Sequence, residues 1–257
     1  MNRRRMLLCS SLVPIAPLAR AYAGNEEDAR EYYELRRYRI IPGEKQDAVV
    51  QFLSNAAVPA WNRAGVGPVG VFQEIDAKEP IMFVLLPHKS LESFAGLEAR
   101  LADDAQYQKA GASFLDAPKS DPAYQRIESA LMVAFAGMPR LATPVKKDTR
   151  IFELRTYESH SSKAHRKKVE MFNEGGEMEI FRRTGLRAVF FGQNLVAPYL
   201  PSLTYMLAFD DMADHDASWD RFLKDPTWQK LRDDPQYKDT VSNITRIFLR
   251  PEACSRI

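Results

Sequence analysis

Cysteine is nearly missing from this chain: there are two in 257 residues, Cys9 and Cys254. That count excludes a disulfide framework and any cysteine-based metal centre. Histidine is sparse as well, with His88, His160, His165 and His215 the only four. None stands at a metal-ligating spacing from a second His or a carboxylate, so no metal site is expected. Asp210, Asp211, Asp214 and Asp216 do surround His215, but acids there suit the start of a helix better than a cation. No glycine-rich phosphate loop follows a strand, no nucleophile elbow is present, and no basic patch is interleaved with aromatics. The longest uncharged apolar stretch, Leu7–Ala19, is broken by Pro14 and Pro17 and is too short to span a bilayer as a helix.

That stretch belongs to a different kind of segment. Asn2-Arg3-Arg4-Arg5-Met6-Leu7-Leu8 gives a basic start, the apolar stretch follows, and Ala21-Tyr22-Ala23 places small residues where a signal peptidase cuts. The Arg pair and Arg20 near the cleavage point resemble a twin-arginine export signal. A leader over residues 1–23, cleaved after Ala23, is therefore expected, with a periplasmic or secreted product. Its loss removes four Arg and no acid, which turns the formal charge from +2 to −2. Nucleic acid and, after cleavage, an anionic membrane are excluded as partners on that ground.

The remainder says nearly the same thing twice. Tyr33-Glu34-Leu35-Arg36-Arg37-Tyr38 returns 119 residues later as Phe152-Glu153-Leu154-Arg155-Thr156-Tyr157. Val49, Phe52, Ala56, Trp61 and Gly65 recur as Val169, Phe172, Gly176, Phe181 and Gly185, and Asp104-Ala-Gln-Tyr107 recurs as Asp225-Pro-Thr-Trp228. A long-period echo of this kind decides the architecture.

Each copy reads strand, helix, strand, strand, helix, strand. The first strand spans Tyr32 to Ile41, a helix from about Glu44 carries Val49, Phe52, Ala56 and Trp61 on one stripe, Pro59 should kink it, and Gly65 caps it. In the second copy Ser162 is the expected N-cap, Gly175-Gly176 the expected bend, and Gly185 the expected left-handed cap. Hairpins are expected over Val69 to Ile75 with Ile81 to Leu86, and over Ala188 to Gln193 with Leu203 to Phe209; Leu131 to Phe135 and Ile244 to Leu249 supply the last strands. The order βαββαβ makes the fold class α+β: two tandem ferredoxin-like modules, residues 30–136 and 148–252, joined by a Pro-containing linker over 137–147. Trp61, Phe181, Trp219, Phe222 and Trp228 fall at helical spacing and are expected in the core.

The Phe-Glu-Leu-Arg-Thr-Tyr strand, Arg182-Arg183-Thr184-Gly185-Leu186, Phe190-Phe191-Gly192 and Asp225-Pro-x-Trp228 resemble the NIPSNAP family of the dimeric α/β-barrel superfamily. The resemblance covers residues 30 to 252 and is strongest in the second module; the first has Ala105 for the Pro, Tyr107 for the Trp and extra residues around Ala112 to Lys119. It implies that the two sheets close into a barrel-like unit with the helices outside. For function it implies little: such proteins have no agreed catalytic activity and are best known as interaction proteins, while superfamily neighbours include heme-binding peroxidase-like proteins and cofactor-free monooxygenases. A shared fold transfers none of these.

One candidate site follows from strand alternation. Leu35, Phe152 and Leu154 face one way, and Glu34, Arg36, Tyr38, Glu153, Arg155 and Tyr157 the other. If the apolar set meets the helices, the polar set points into the barrel, as a pocket for a small ligand or as an ion-pair network that fixes register. No cofactor is expected. A haem would need an axial His in the cavity, whereas His88 and His215 belong to the outset of outer helices, His160 to a loop, and His165 to an exposed helical turn. The expected function is small-ligand binding or protein interaction through the barrel cavity or edges, with a cofactor-independent monooxygenase-like activity as the alternative. A small molecule, another protein or a second copy of the chain are the partners this allows.

Overall fold

The computed structural model describes residues 30–257; the expected leader over 1–23 lies outside the described residues. The first module runs β1 (Tyr32–Arg39), α1 (Glu44–Phe52), a π-helical turn (Leu53–Ala57), α2 (Val58–Arg63), β2 (Gly70–Glu74), β3 (Ile81–His88), α3 (Leu91–Ala95), α4 (Leu97–Ala102), α5 (Ala105–Leu115) and β4 (Arg126–Ala134). The second runs β5 (Ile151–Glu158), α6 (Ser162–Asn173), α7 (Glu177–Thr184), β6 (Arg187–Val196), β7 (Ser202–Phe209), α8 (Met212–Lys224), α9 (Pro226–Arg232), a 3-10 turn (Pro235–Tyr237) and β8 (Asn243–Pro251).

The local signals act where they stand in the sequence. Pro59 follows a π turn that interrupts the regular hydrogen bonding of the first long helix, since its ring excludes the regular bond four residues back. Gly176 and Gly185 adopt φ of 91° and 92° and divide and end the second. The N-cap of α6 is Ser161, which accepts from Ala164 N, and not Ser162. β4 starts at Arg126, five residues before the expected Leu131, because its polar first residues pair with β1: Glu128 bridges Arg37 and Arg39.

Within each module the strands order β4-β1-β3-β2 and β8-β5-β7-β6, every pair antiparallel. Two seams join them. β2 pairs with β8 from Phe72↔Pro251 to Glu74↔Leu249, and β4 pairs with β6 around a bulge at Leu131/Met132. The eight strands thus close into one barrel within a single chain.

Three apolar clusters fill the layers. One lies between the first sheet and its helices and contains Trp61, Phe52, Val84 and Tyr38; its counterpart contains Phe172, Phe181, Tyr205 and Phe222. The third fills the barrel with residues of both modules, including Tyr33, Leu35, Phe72, Phe152, Phe190 and Met206. Tyr33 meets Phe190 at 5.0 Å and Phe72 meets Phe152 at 4.8 Å between ring centroids, which ties the modules through the interior. At the end where β1 and β5 begin, the buried Ile257 side chain completes that cluster, and its carbonyl accepts from Arg150 Nη2 at 3.0 Å.

The alternation on β1 and β5 is as expected, but the faces are reversed. Leu35, Phe152 and Leu154 point into the barrel, and Glu34, Arg36, Tyr38, Glu153, Arg155 and Tyr157 point toward the helices. The interior of an eight-stranded barrel is just wide enough for side chains to fill and offers charges few partners. The helices, in contrast, bring polar atoms to the outer face, and the charged residues go there.

Candidate functional site

Because of that reversal the two Glu-Arg-Tyr sets do not meet around the pseudo-twofold axis. Each forms a separate network under its own helices. In the first, Arg36 Nε donates to Glu34 Oε1 at 2.7 Å and Arg36 Nη2 to Glu98 of α4 at 3.0 Å, with Ser129 Oγ donating to Glu34 at 2.9 Å. In the second, Arg155 Nε donates to Glu153 Oε1 at 2.7 Å, Trp219 Nε1 of α8 donates to Glu153 Oε2 at 2.8 Å, and the Arg155 guanidinium stacks 3.9 Å from the Trp219 ring centroid. Tyr157 Oη accepts from Arg155 and from Tyr205 Oη, whereas Tyr38 is sealed in the helix-side core.

An imidazole stands beside each network, though the histidines are not repeated in sequence and neither Nε2 makes a hydrogen bond. His88 Nε2 stands 3.6 Å from Glu34, and His215 Nε2 stands 3.4 Å from Glu153. With the offset of 121 that aligns Asp104 with Asp225, His88 corresponds to Phe209 and Phe94 to His215. His88 packs edge-on against Phe94, and Phe209 edge-on against His215. The modules have exchanged His and Phe across one contact and kept an imidazole beside the glutamate. His165, expected in solvent, is buried with its Nδ1 unpartnered, because α6 turns that face toward the core.

Burial alone would raise the Glu34 carboxyl, but His88, Arg36 and Ser129 around it hold it down to about 2. Burial would lower the Arg36 and Arg155 guanidiniums; the neighbouring Glu34 raises the first, and Tyr205, Tyr157 and Glu153 raise the second. In each, the Glu and Arg charges answer one another as a buried ion pair. The Asp residues near His215 likewise serve the fold: Asp211 caps α8 through Asp214 N, while Asp210 and Asp214 bind Arg187.

The space inside the barrel lies elsewhere, at the end where β1 and β5 finish. A cavity of about 180 Å³ opens there. Strand register builds its walls as two rows. Arg37 on β1 stands between Glu128 and Phe83, and at the pseudo-equivalent place Thr156 on β5 stands between Thr245 and Thr204. Leu35 and Ala130 form the floor, and the β6–β7 turn brings Ala197, Pro198 and Tyr199 over one side. One wall is thus an ion pair beside an aromatic ring, and the other is three hydroxyls.

Asn194 of β6 links the hydroxyl wall. Its Nδ2 donates to Ser202 Oγ at 2.8 Å and to Thr204 Oγ1 at 3.1 Å, and Thr204 and Thr156 hydroxyls lie 3.0 Å apart. Ser202 spends its own proton on Tyr199 O, so it must accept from Asn194, and this fixes which way the amide faces. Asn194 is 8% exposed and its Oδ1 has no partner; Arg37 Nε at the opposite wall also has none. None of these residues stood out in the sequence, yet one signal was present. Within the repeated Glu-Leu-Arg-x-Tyr, the variable x is Arg37 in one copy and Thr156 in the other.

A family model described as NIPSNAP matches residues 33–136 and 152–256. No curated protein matches the chain. Among solved structures, a candidate monooxygenase from Fusobacterium nucleatum is 10% identical and superposes with a TM-score of 0.58, over 87% of this chain and 93% of that one. Another candidate monooxygenase, from Lactobacillus acidophilus, gives the same identity, 10%, and TM-score, 0.58, over 86% and 94%. At that identity the likeness is one of fold. A NIPSNAP-like domain protein from Burkholderia xenovorans is 20% identical over 42% of this chain and 89% of its own, with a TM-score of 0.36.

Proposed function

The chain belongs to the NIPSNAP family, and from that premise we propose that it is a binding protein that takes a small molecule at the open mouth of its barrel, without a cofactor. The observation that carries this is the cavity itself, which has an apolar floor of Leu35 and Ala130 and a wall of three hydroxyls, Thr156, Thr204 and Thr245. The leader pattern over residues 1–23 supports an exported protein, so the ligand would be met outside the cytoplasm.

The monooxygenase-like alternative draws support from the fold of the two neighbours alone. It would need a proton acceptor beside the bound molecule. The imidazoles of His88 and His215 lie on the helix side of the sheet, and the charged groups at the cavity, Arg37, Glu128 and Glu158, lie toward its rim. Binding is the better reading.

The test is fragment screening of the mature chain by native mass spectrometry and thermal shift, repeated on Thr245→Trp. Thr245 is exposed at the rim, so the indole covers the mouth without entering the core. Ligands that stabilise the wild type and fail on Thr245→Trp support the site; ligands that bind both equally, or none at all, overturn it. Export is tested separately by Arg3→Lys with Arg4→Lys, which should leave the precursor uncleaved in the cytoplasm; normal processing would rule out the twin-arginine route.

A further inference from the structure

The turns that join β2 to β3 and β6 to β7 stand at equivalent places and carry opposite chemistry. With the offset of 121, Glu74-Ile75-Asp76-Ala77-Lys78-Glu79-Pro80 of the first module becomes Leu195-Val196-Ala197-Pro198-Tyr199-Leu200-Pro201 in the second. Backbone anchoring is the same in both: Ile40 N donates to Pro80 O and Ser159 N to Pro201 O, each at 3.0 Å. Both turns lie at the end of the barrel where β1 and β5 finish, since Arg39 pairs with Ile81 and Glu158 with Ser202. The fold therefore accepts charge at this place. The second module nonetheless has Leu195, Ala197, Tyr199 and Leu200 where the first has Glu74, Asp76, Lys78 and Glu79.

These apolar side chains face water. Tyr199 is 67% exposed, Val196 60%, Leu200 53% and Leu195 41%. The other large apolar side chains exposed among the described residues are scattered singly: Leu91, Leu115, Val145, Met212, Leu223 and Ile244. Four half-exposed side chains in one turn present on the order of 400 Å², taking roughly 200 Å² for a large side chain. A contiguous patch of that kind marks a contact site.

Shape, area and charge decide what meets it. Exposure along consecutive residues makes the turn a convex tip, so it enters its partner and does not receive one. Its area is half of the about 800 Å² that each partner buries in a stable protein interface, which leaves a second copy of the chain short. The chain's own N-terminal segment does not reach it. β1 begins at the opposite end, and the six residues 24–29 span at most about 20 Å, less than the roughly 26 Å of the eight-residue β1. A bilayer surface needs neither a groove nor a large area, and it accepts an apolar tip with an aromatic ring at headgroup level. Beside the turn, Glu128 and Glu158 stand against Arg37 and Arg39, both of which pair with Glu128. Two anions balance two cations, so no surplus positive charge draws anionic headgroups.

We infer that the β6–β7 turn, residues 195–201, is a contact site for a neutral lipid surface, into which Leu195, Val196, Tyr199 and Leu200 insert. The mouth of the barrel then faces the bilayer. This goes beyond ligand binding and does not depend on what the cavity holds.

Flotation of the mature chain with phosphatidylcholine vesicles tests it. The wild type should float equally well at about 0.05 and 0.5 M salt, because burial of apolar side chains is not screened. Anionic lipid should not strengthen the binding. Tyr199→Lys with Leu200→Glu installs the residues of the first module and should lower partitioning at least about tenfold. Its melting temperature should match wild type, since both side chains are exposed and the first module carries the same pair at the same place. The reverse exchange, Lys78→Tyr with Glu79→Leu, adds a second tip at the same end and should raise partitioning. It decides the matter should the first variant fail to fold, and no gain would then overturn the inference. A wild type that does not float, or flotation that persists unchanged in Tyr199→Lys with Leu200→Glu, would also overturn it. So would binding that requires anionic lipid and is lost in salt, since charge and not the turn would then hold the protein. A wild type that stays off vesicles, sediments as a dimer and becomes monomeric in the same variant would assign the turn to a second copy of the chain instead.

Discussion

Glu34 shows what a single buried charge contributes here. Its carboxyl is held at about 2 in the fold against an ordinary 4.5, because His88, Arg36 and Ser129 outweigh the cost of burial. A carboxyl depressed by folding gives stability that is fully present above its unfolded value and lost as pH falls toward the folded one. Wild type should therefore lose about 3 kcal/mol from this group between pH 4.5 and 2. Glu34→Gln should be less stable at pH 7, and urea unfolding at pH 7, 4 and 3 should show its deficit shrinking as the pH drops. A deficit independent of pH would mean that Glu34 contributes by shape and not by charge. The two cap glycines differ in an equally local way. Gly65 has φ of +77° and open space around it, while a Cβ at Gly185 would stand 2.6 Å from Arg221 Nη2 as well as carry a φ of +92°. Since Arg221 donates to Thr184 O at the end of α7, Gly185→Ala should cost more than the roughly 1 kcal/mol of strain expected for Gly65→Ala. Equal costs by thermal unfolding would show that Arg221 moves aside freely.

Strands β1 and β5 mark where the sequence was readable and where it was not. The repeat, the two modules, the cap glycines and the alternation of β1 could all be read off, because each depends on local spacing. Which face of β1 turns inward could not. Both faces are buried, and a strand covered on both sides carries no apolar-in, polar-out asymmetry to set its sign. What settles it is tertiary: Trp219 and Glu98 arrive from helices more than 60 residues away in the chain and satisfy Glu153 and Arg36. The candidate cavity was hidden for the same reason, since Arg37, Thr156 and Asn194 come together only when the modules close. The network under β5 gives the matching prediction. Arg155→Met leaves Glu153 buried without its main cation and should cost about 3 kcal/mol, and Glu153→Gln should cost a similar amount. The double variant should cost clearly less than the two together, since the charges answer each other. Additive losses in denaturant unfolding would show that Trp219 and His215 hold each partner independently.

At the scale of the molecule, the decisive fact is that each module has two buried faces and can cover only one with its own helices. The inner face, with Phe152, Leu154, Phe190 and Met206, depends on the other module for its covering. The seams that bring the modules together are short, with β2 and β8 sharing only the pairs Phe72↔Pro251, Gln73↔Arg250 and Glu74↔Leu249. Backbone pairing at the seams is therefore the smaller part, and the apolar interior is what holds the halves. Burying four such side chains is worth on the order of 6 to 12 kcal/mol, far more than a few strand hydrogen bonds. A chain cut to residues 146–257 should fold its own helix-covered sheet but expose that inner face, and two copies should then pair to rebuild an eight-stranded barrel. Sedimentation at micromolar concentration should find a dimer, and Phe190→Lys, which puts a charge in the centre of the new interface, should return it to a monomer or to aggregates. A half-chain that stays monomeric and cooperative without that change would mean the inner face is stable in water, and the interior would no longer explain why the two modules are held as one barrel.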